Sequence, residues 1–155
     1  MQHVLEHWAR EYLKDMSCPT VLMPRAAKLP QTVDEVRKVT LETLTEYPQI
    51  RTIIVPVGTG THLAGVIRGA PAHNIIGVLG YTHDHRTLER YLAKMGAPPY
   101  ANVHLADPGY AYSDLFEEPM PFPASKYYET KAWRWLRENI TDISHPILFW
   151  NVGAI

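Results

Sequence analysis

Arg51-Thr52-Ile53-Ile54-Val55-Pro56-Val57 runs straight into Gly58-Thr59-Gly60-Thr61 and then into His62-Leu63-Ala64-Gly65-Val66-Ile67. The first stretch is a nearly unbroken apolar, β-branched run, the pattern of a parallel strand buried on both faces. A strand, a glycine turn and a helix in that order present backbone N–H groups and the positive end of a helix dipole to an anion. The glycines allow close approach to the backbone, and the threonine hydroxyls add donors. The spacing is not the dinucleotide fingerprint, because Leu63 stands where a third glycine is required. It is not a P-loop, because no lysine follows. From the residues alone, a phosphate-holding turn and a plain strand-to-helix turn both stand open.

The pattern alternates on either side of this unit. Leu5, Trp8, Tyr12 and Met16 mark one face of a helix over Val4 to Met16. Thr20 to Met23 reads as a short buried strand. Thr32-x-x-Glu35 reads as a capping box opening a helix whose face is Val33, Val36, Thr40, Leu44 and Tyr47. Asn74 to Leu79 repeats the strand pattern and closes on Gly80. Leu88, Tyr91, Leu92 and Met95 give a further helix, ended by Gly96 as a C-terminal cap. Val103 to Leu105 is a short strand, and Asp107 to Pro123, rich in Pro, Tyr and acids, is a long ordered loop of the kind that carries function. Ala132, Trp133, Leu136 and Ile140 make the last helix, and Ile147 to Trp150 the last strand. Alternation of this kind predicts right-handed crossovers and a mostly parallel sheet with helices on both faces, a single α/β domain over residues 1–155.

Composition narrows the function classes. The 155 residues are 46% hydrophobic and 20% charged, enough for one domain with a core. Fifteen basic against sixteen acidic residues give a net charge of −1, which argues against a nucleic-acid partner. No apolar run approaches the ~20 residues of a membrane helix, and the N-terminus lacks a signal-peptide pattern. The lone Cys18 suits a reducing, cytoplasmic setting and has no base or anion-stabilising group beside it in sequence. His83-Asp84-His85 offers two metal ligands without a third or fourth nearby; we read Asp84 as a helix cap and expect no metal site. Trp133, Trp135 and Trp150, with Tyr127 and Tyr128, form an aromatic-rich end without a basic surround, suited to core or interface packing.

Three blocks together resemble a known family. Val55 to Gly65 resembles the phosphate-binding loop of fold-type II pyridoxal-phosphate (PLP) enzymes. Tyr127-Tyr128-Glu129-Thr130-Lys131-Ala132-Trp133 is similar to the Val-Tyr-Glu-Gly-Lys-Ser-Met stretch of 1-aminocyclopropane-1-carboxylate (ACC) deaminases and D-cysteine desulfhydrases. Ile147 to Gly153 is similar to that family's final strand and turn. The blocks run in the family's order and cover the chain from about Thr20 to the end, the part that would be the C-terminal half of the large PLP domain.

The resemblance implies a PLP cofactor, with Gly58, Thr59, Gly60, Thr61 and His62 at its phosphate and Glu129 at its pyridine nitrogen. Tyr128 would be the active-site, catalytic tyrosine, with Tyr110 or Tyr112 as a second. It implies deamination or elimination on a small amino acid. There are departures: Thr61 and His62 stand where the family has Gly and Thr, and no Asn-Lys pair exists to supply the Schiff-base lysine. The chain thus reads as the second half of an enzyme, beginning with its own Met1. It would act as a homo-oligomer or with a partner chain that supplies the missing half. A non-catalytic relative (a pseudoenzyme serving as a binding or assembly module) and another phosphate-ligand-binding α/β protein stand as alternatives.

Overall fold

The apolar strand after Arg51 is the centre of the sheet. The structure, a computed structural model, describes residues 2–15, 17, 27–81, 84–97 and 101–152. In chain order the elements are α1 (Gln2–Lys14), α2 (Pro30–Glu46), β1 (Thr52–Val57), α3 (Thr61–Gly69), β2 (Asn74–Leu79), α4 (His85–Lys94), β3 (Val103–Ala106), α5 (Glu129–Asn139) and β4 (Ile147–Phe149). The four strands lie in the order β3-β2-β1-β4, every pair parallel. The expected strand at Thr20 to Met23 lies outside the described residues, as do Met16, Cys18 and His83. No helix among the described residues is long and apolar enough to cross a membrane.

Period-two alternation gives each strand two apolar faces. Ile53, Val55 and Val57 of β1, with Ile75 and Leu79 of β2, pack in one core with Val33 and Val36 of α2, Leu63, Val66 and Ile67 of α3, and Leu88 and Leu92 of α4. Ile54 and Val78 point the other way, into a second core with Ala132 and Leu136 of α5, lined by Trp133, Trp135 and Phe149. The sheet is therefore covered on both faces, and its order reverses between β1 and β4. That switch point is where open α/β sheets bind ligands.

Pro56 fixes where β4 ends. Ile54 O accepts the Trp150 N–H at 2.8 Å, so every second residue of β1 turns towards β4. The next donor on that side belongs to position 56, and proline has none. The ladder stops there, and the chain beyond Trp150 leaves the sheet at its carboxyl edge.

One local expectation needs correction. The Thr32-x-x-Glu35 capping box does not form: α2 begins three residues earlier, with Leu29 at the cap position, no side-chain cap, and Pro30 in the first turn. Proline's fixed φ suits that position and its missing N–H is not needed there, so it takes precedence over the box. On α1, Trp8 and Tyr12 are 67% and 70% exposed. Gly96 meets expectation, with φ +70° and the paired bonds Ala97 N to Leu92 O and Gly96 N to Ala93 O of a Schellman turn.

Helices α2 and α3 meet through glycines. A Cβ at Gly65 would lie 2.4 Å from Val36 Cβ and 2.9 Å from the Val33 carbonyl oxygen. On an open helix surface Gly→Ala stabilises by up to about 1 kcal/mol. Here overpacking, about 1–3 kcal/mol, opposes and outweighs that gain. We therefore expect Gly65→Ala to lower the urea midpoint with an unchanged slope; a raised midpoint would contradict the packing.

Candidate functional site

The glycine turn stands at the carboxyl end of β1. Gly60 caps α3 with φ +87° and ψ 1°, a left-handed conformation suited to glycine, and a Cβ there would lie 2.6 Å from Leu88 Cδ1. Its carbonyl accepts the Ala64 N–H at 2.9 Å, the first bond of α3. The amides of the first turn precede that ladder by the geometry of any helix. Thr61 is buried, and its hydroxyl lies 3.1 Å from both the Thr59 hydroxyl and Tyr91 OH. The Cβ that replaces a family glycine therefore points into the protein. His62 is partly buried, and that burial draws its pKa below the ordinary histidine value, favouring the neutral ring.

Tyr128 covers two strand ends. β1 and β2 are in register to their last residues, Val57 opposite Leu79, so Gly58 and Gly80 follow side by side. A Cβ on Gly58 would lie 2.8 Å from Tyr128 Cε1, and one on Gly80 2.7 Å from Tyr128 Cδ1. The ring fills the space that two absent side chains leave.

Glu129 is the first residue of α5 and is 3% exposed. Burial pushes its carboxyl pKa above the ordinary value; the amides of Glu129, Ser125 and Val152 and the Ser125 hydroxyl pull the other way without cancelling the shift. Its Oε2 has no hydrogen-bond partner among the described residues. Acids are favoured at a helix start, but such residues are ordinarily solvated. A carboxylate oxygen that is buried and unpartnered calls for a donor.

Tyr81, Tyr112 and Tyr127 surround Tyr128. Tyr112 stacks on Tyr127 at 5.1 Å and meets Tyr81 and Tyr128 edge-on at 5.7 and 6.2 Å. Of the two candidates for a second tyrosine, Tyr112 joins this cluster. Tyr110 packs instead on Phe116 at 5.0 Å. Gly80, Tyr81 and Lys131 were not among the sequence candidates. The available signal was Gly80 itself, which closes β2 as Gly58 closes β1. Asp84 is the cap expected of it, accepting from Arg86 N and the Thr87 hydroxyl. His85 lies 3.4 Å from Asp107, and no group of three or more potential metal ligands occurs among the described residues.

The fold and site define a parallel α/β domain with its polar residues gathered at the carboxyl edge beside the switch point. A solved ACC deaminase homologue shares this fold, with a TM-score of 0.76 at 19% identity over 97% of this chain and 55% of its own. A protein of Pseudomonas phage M6 described as a glycyl-dTMP PLP-dependent decarboxylase is 30% identical over 161 residues, 97% of this chain and 58% of its own length. No protein-family model matches. The chain thus resembles part of a fold-type II PLP enzyme in sequence and in fold, and it spans little more than half the length of these relatives.

The raised carboxyl pKa gives Glu129 a sign that can be measured. Its proton is held more tightly in the folded state, so this group's contribution to stability is fully present below the unfolded carboxylate range and is lost as pH rises through the folded value. Glu129→Gln removes the buried charge. It should melt above the wild type near pH 8, by about 2–4 °C for each kcal/mol relieved, with the gap closing as the pH falls below the ordinary carboxylate range. A variant that melts lower near pH 8 would show that the carboxylate is stabilising as it stands.

Proposed function

We propose that this chain supplies the cofactor-holding face of a PLP-dependent enzyme acting at the α-carbon of an amino-acid group. The observation that carries this reading is the buried, unpartnered Glu129 oxygen beside Tyr128 and the paired glycines. The donor set fits the cofactor. The amides that open α3 and the Thr59 hydroxyl suit its phosphate, and the Glu129 carboxylate suits a protonated ring nitrogen. When bound, PLP supplies an electron sink for the pair left at the α-carbon.

The chain's own residues have separable tasks. Glu129 holds a proton at the ring nitrogen, because an anion close to a cationic site favours the charged form. Tyr128 excludes water from the strand ends and offers a hydroxyl at the cluster. Gly60 fixes the direction of the first α3 amides. None of the lysines, at positions 14, 28, 38, 94, 126 and 131, follows an asparagine. We assign the Schiff-base lysine to polypeptide beyond these 155 residues, in the same protein or in a partner chain.

Decarboxylation is the preferred reaction. The phage protein named for it is 30% identical across nearly the whole chain, against 19% for the ACC deaminase homologue. The substrate class on this reading is an amino-acid group, free or carried on a nucleotide as in the phage protein's name. Deamination or desulfhydration of a small amino acid is the second reading, favoured by the Tyr128-Glu129 pair.

Equilibrium titration with PLP, followed by cofactor absorbance and fluorescence, tests the cofactor assignment. The wild-type chain should bind saturably and inorganic phosphate should compete. Glu129→Gln should weaken binding about tenfold, or about 1.4 kcal/mol. Absence of saturable binding, or equal binding by the variant, would overturn the reading and leave a non-catalytic relative.

A further inference from the structure

Lys131 is the largest fully buried side chain among the described residues, with 0% exposure. Its ammonium donates to the Gly80 carbonyl at 2.7 Å, to the Ala111 carbonyl at 2.7 Å and to the Tyr112 carbonyl at 3.4 Å. These acceptors belong to two segments, the end of β2 and the first part of the long loop between β3 and α5. A methionine would fill the same volume without burying a charge, and burying an ammonium is expensive unless it is fully hydrogen-bonded. The charge therefore has a task at the three carbonyls.

The loop's two parts are held differently. Its later part rests on α5 through Glu118 with Arg134 and Arg137, the Arg134 guanidinium over Phe116, and Phe122 against Trp133. Its earlier part folds into a small turn, in which Ala111 N donates to the Asp114 carboxylate and Asp114 N to the Ala111 carbonyl. Lys131 grips that turn through the same Ala111 carbonyl and pulls it to Gly80, the residue over which Tyr128 lies. Tyr112 is carried on this turn into the tyrosine cluster.

We propose that Lys131 is the positioning residue of the site, its buried ammonium clamping the Ala111–Tyr112 backbone to Gly80 and so fixing Tyr112 against Tyr128 and the glycine edge. The inference deepens the reading above and rests on it for what the tyrosines face. The ammonium's bonds to backbone carbonyls give it a role in placing other residues.

The test compares the wild-type chain with Lys131→Met and Lys131→Gln, by amide hydrogen exchange and by PLP titration of the same samples. Exchange over residues 109–114 should quicken about tenfold or more in Lys131→Met while β1 and β2 amides keep their protection, because local opening is separable from global unfolding. Lys131→Gln, which keeps a donor but not the charge, should fall between, and it serves alone should the methionine variant not fold. PLP affinity should fall with loop protection. Unchanged exchange over 109–114, or equal quickening everywhere, would overturn the proposal, as would a loosened loop with undiminished PLP affinity. If the wild type binds no PLP while the loop alone loosens in the variants, the cofactor reading fails and the clamp stands.

Discussion

The site depends on β1 and β2 ending level. Parallel pairing in register to Val57 and Leu79 places Gly58 and Gly80 side by side at one edge of the sheet. Two neighbouring positions without side chains make a bare patch, and Tyr128 occupies it. A side chain at either glycine would displace the ring, and with it the start of α5, where Glu129 stands. Pro56 acts on the other side of β1. By ending the β4 ladder it releases the chain towards Val152, whose amide is one of the donors around the Glu129 carboxylate.

Glu129 and Lys131 are buried charges two residues apart at the start of one helix, and they differ in how they are satisfied. The ammonium has three carbonyl acceptors, so its desolvation is offset within the protein. The carboxyl group keeps one oxygen without a partner among the described residues, and burial raises its pKa towards the neutral form. On the function proposed above, stability and function would be opposed at Glu129: the carboxylate that burial disfavours is the group a cationic ring nitrogen would require.

Much of this was legible in the sequence because it is written in short-range patterns. The alternation of apolar runs and helical faces gave the parallel α/β class. The glycines after β1, the Asp84 cap and the Gly96 turn are local chemistry that needs no tertiary context. The Tyr128-Glu129 pair was found by its resemblance to a motif. What was missed is long-range. Gly80 and Lys131 lie 51 residues apart, and neither alone announces a bond to the other. The capping box failed because Pro30 had a stronger local claim on the helix start. The exposed Trp8 and Tyr12 show that an apolar stripe specifies a face but not what lies against it.

The central claim, that the Glu129 carboxylate is there to hold a proton on the ring nitrogen of a bound cofactor, is open to direct spectroscopic observation. PLP labelled with nitrogen-15 in its ring, bound to the wild-type chain, reports the protonation state of that atom in its chemical shift. The account predicts a resonance at the protonated position that stays put as the pH is raised from about 6 to about 9, since a neighbouring anion holds the cationic form. A resonance that moves over this range as that of the free cofactor does would contradict it.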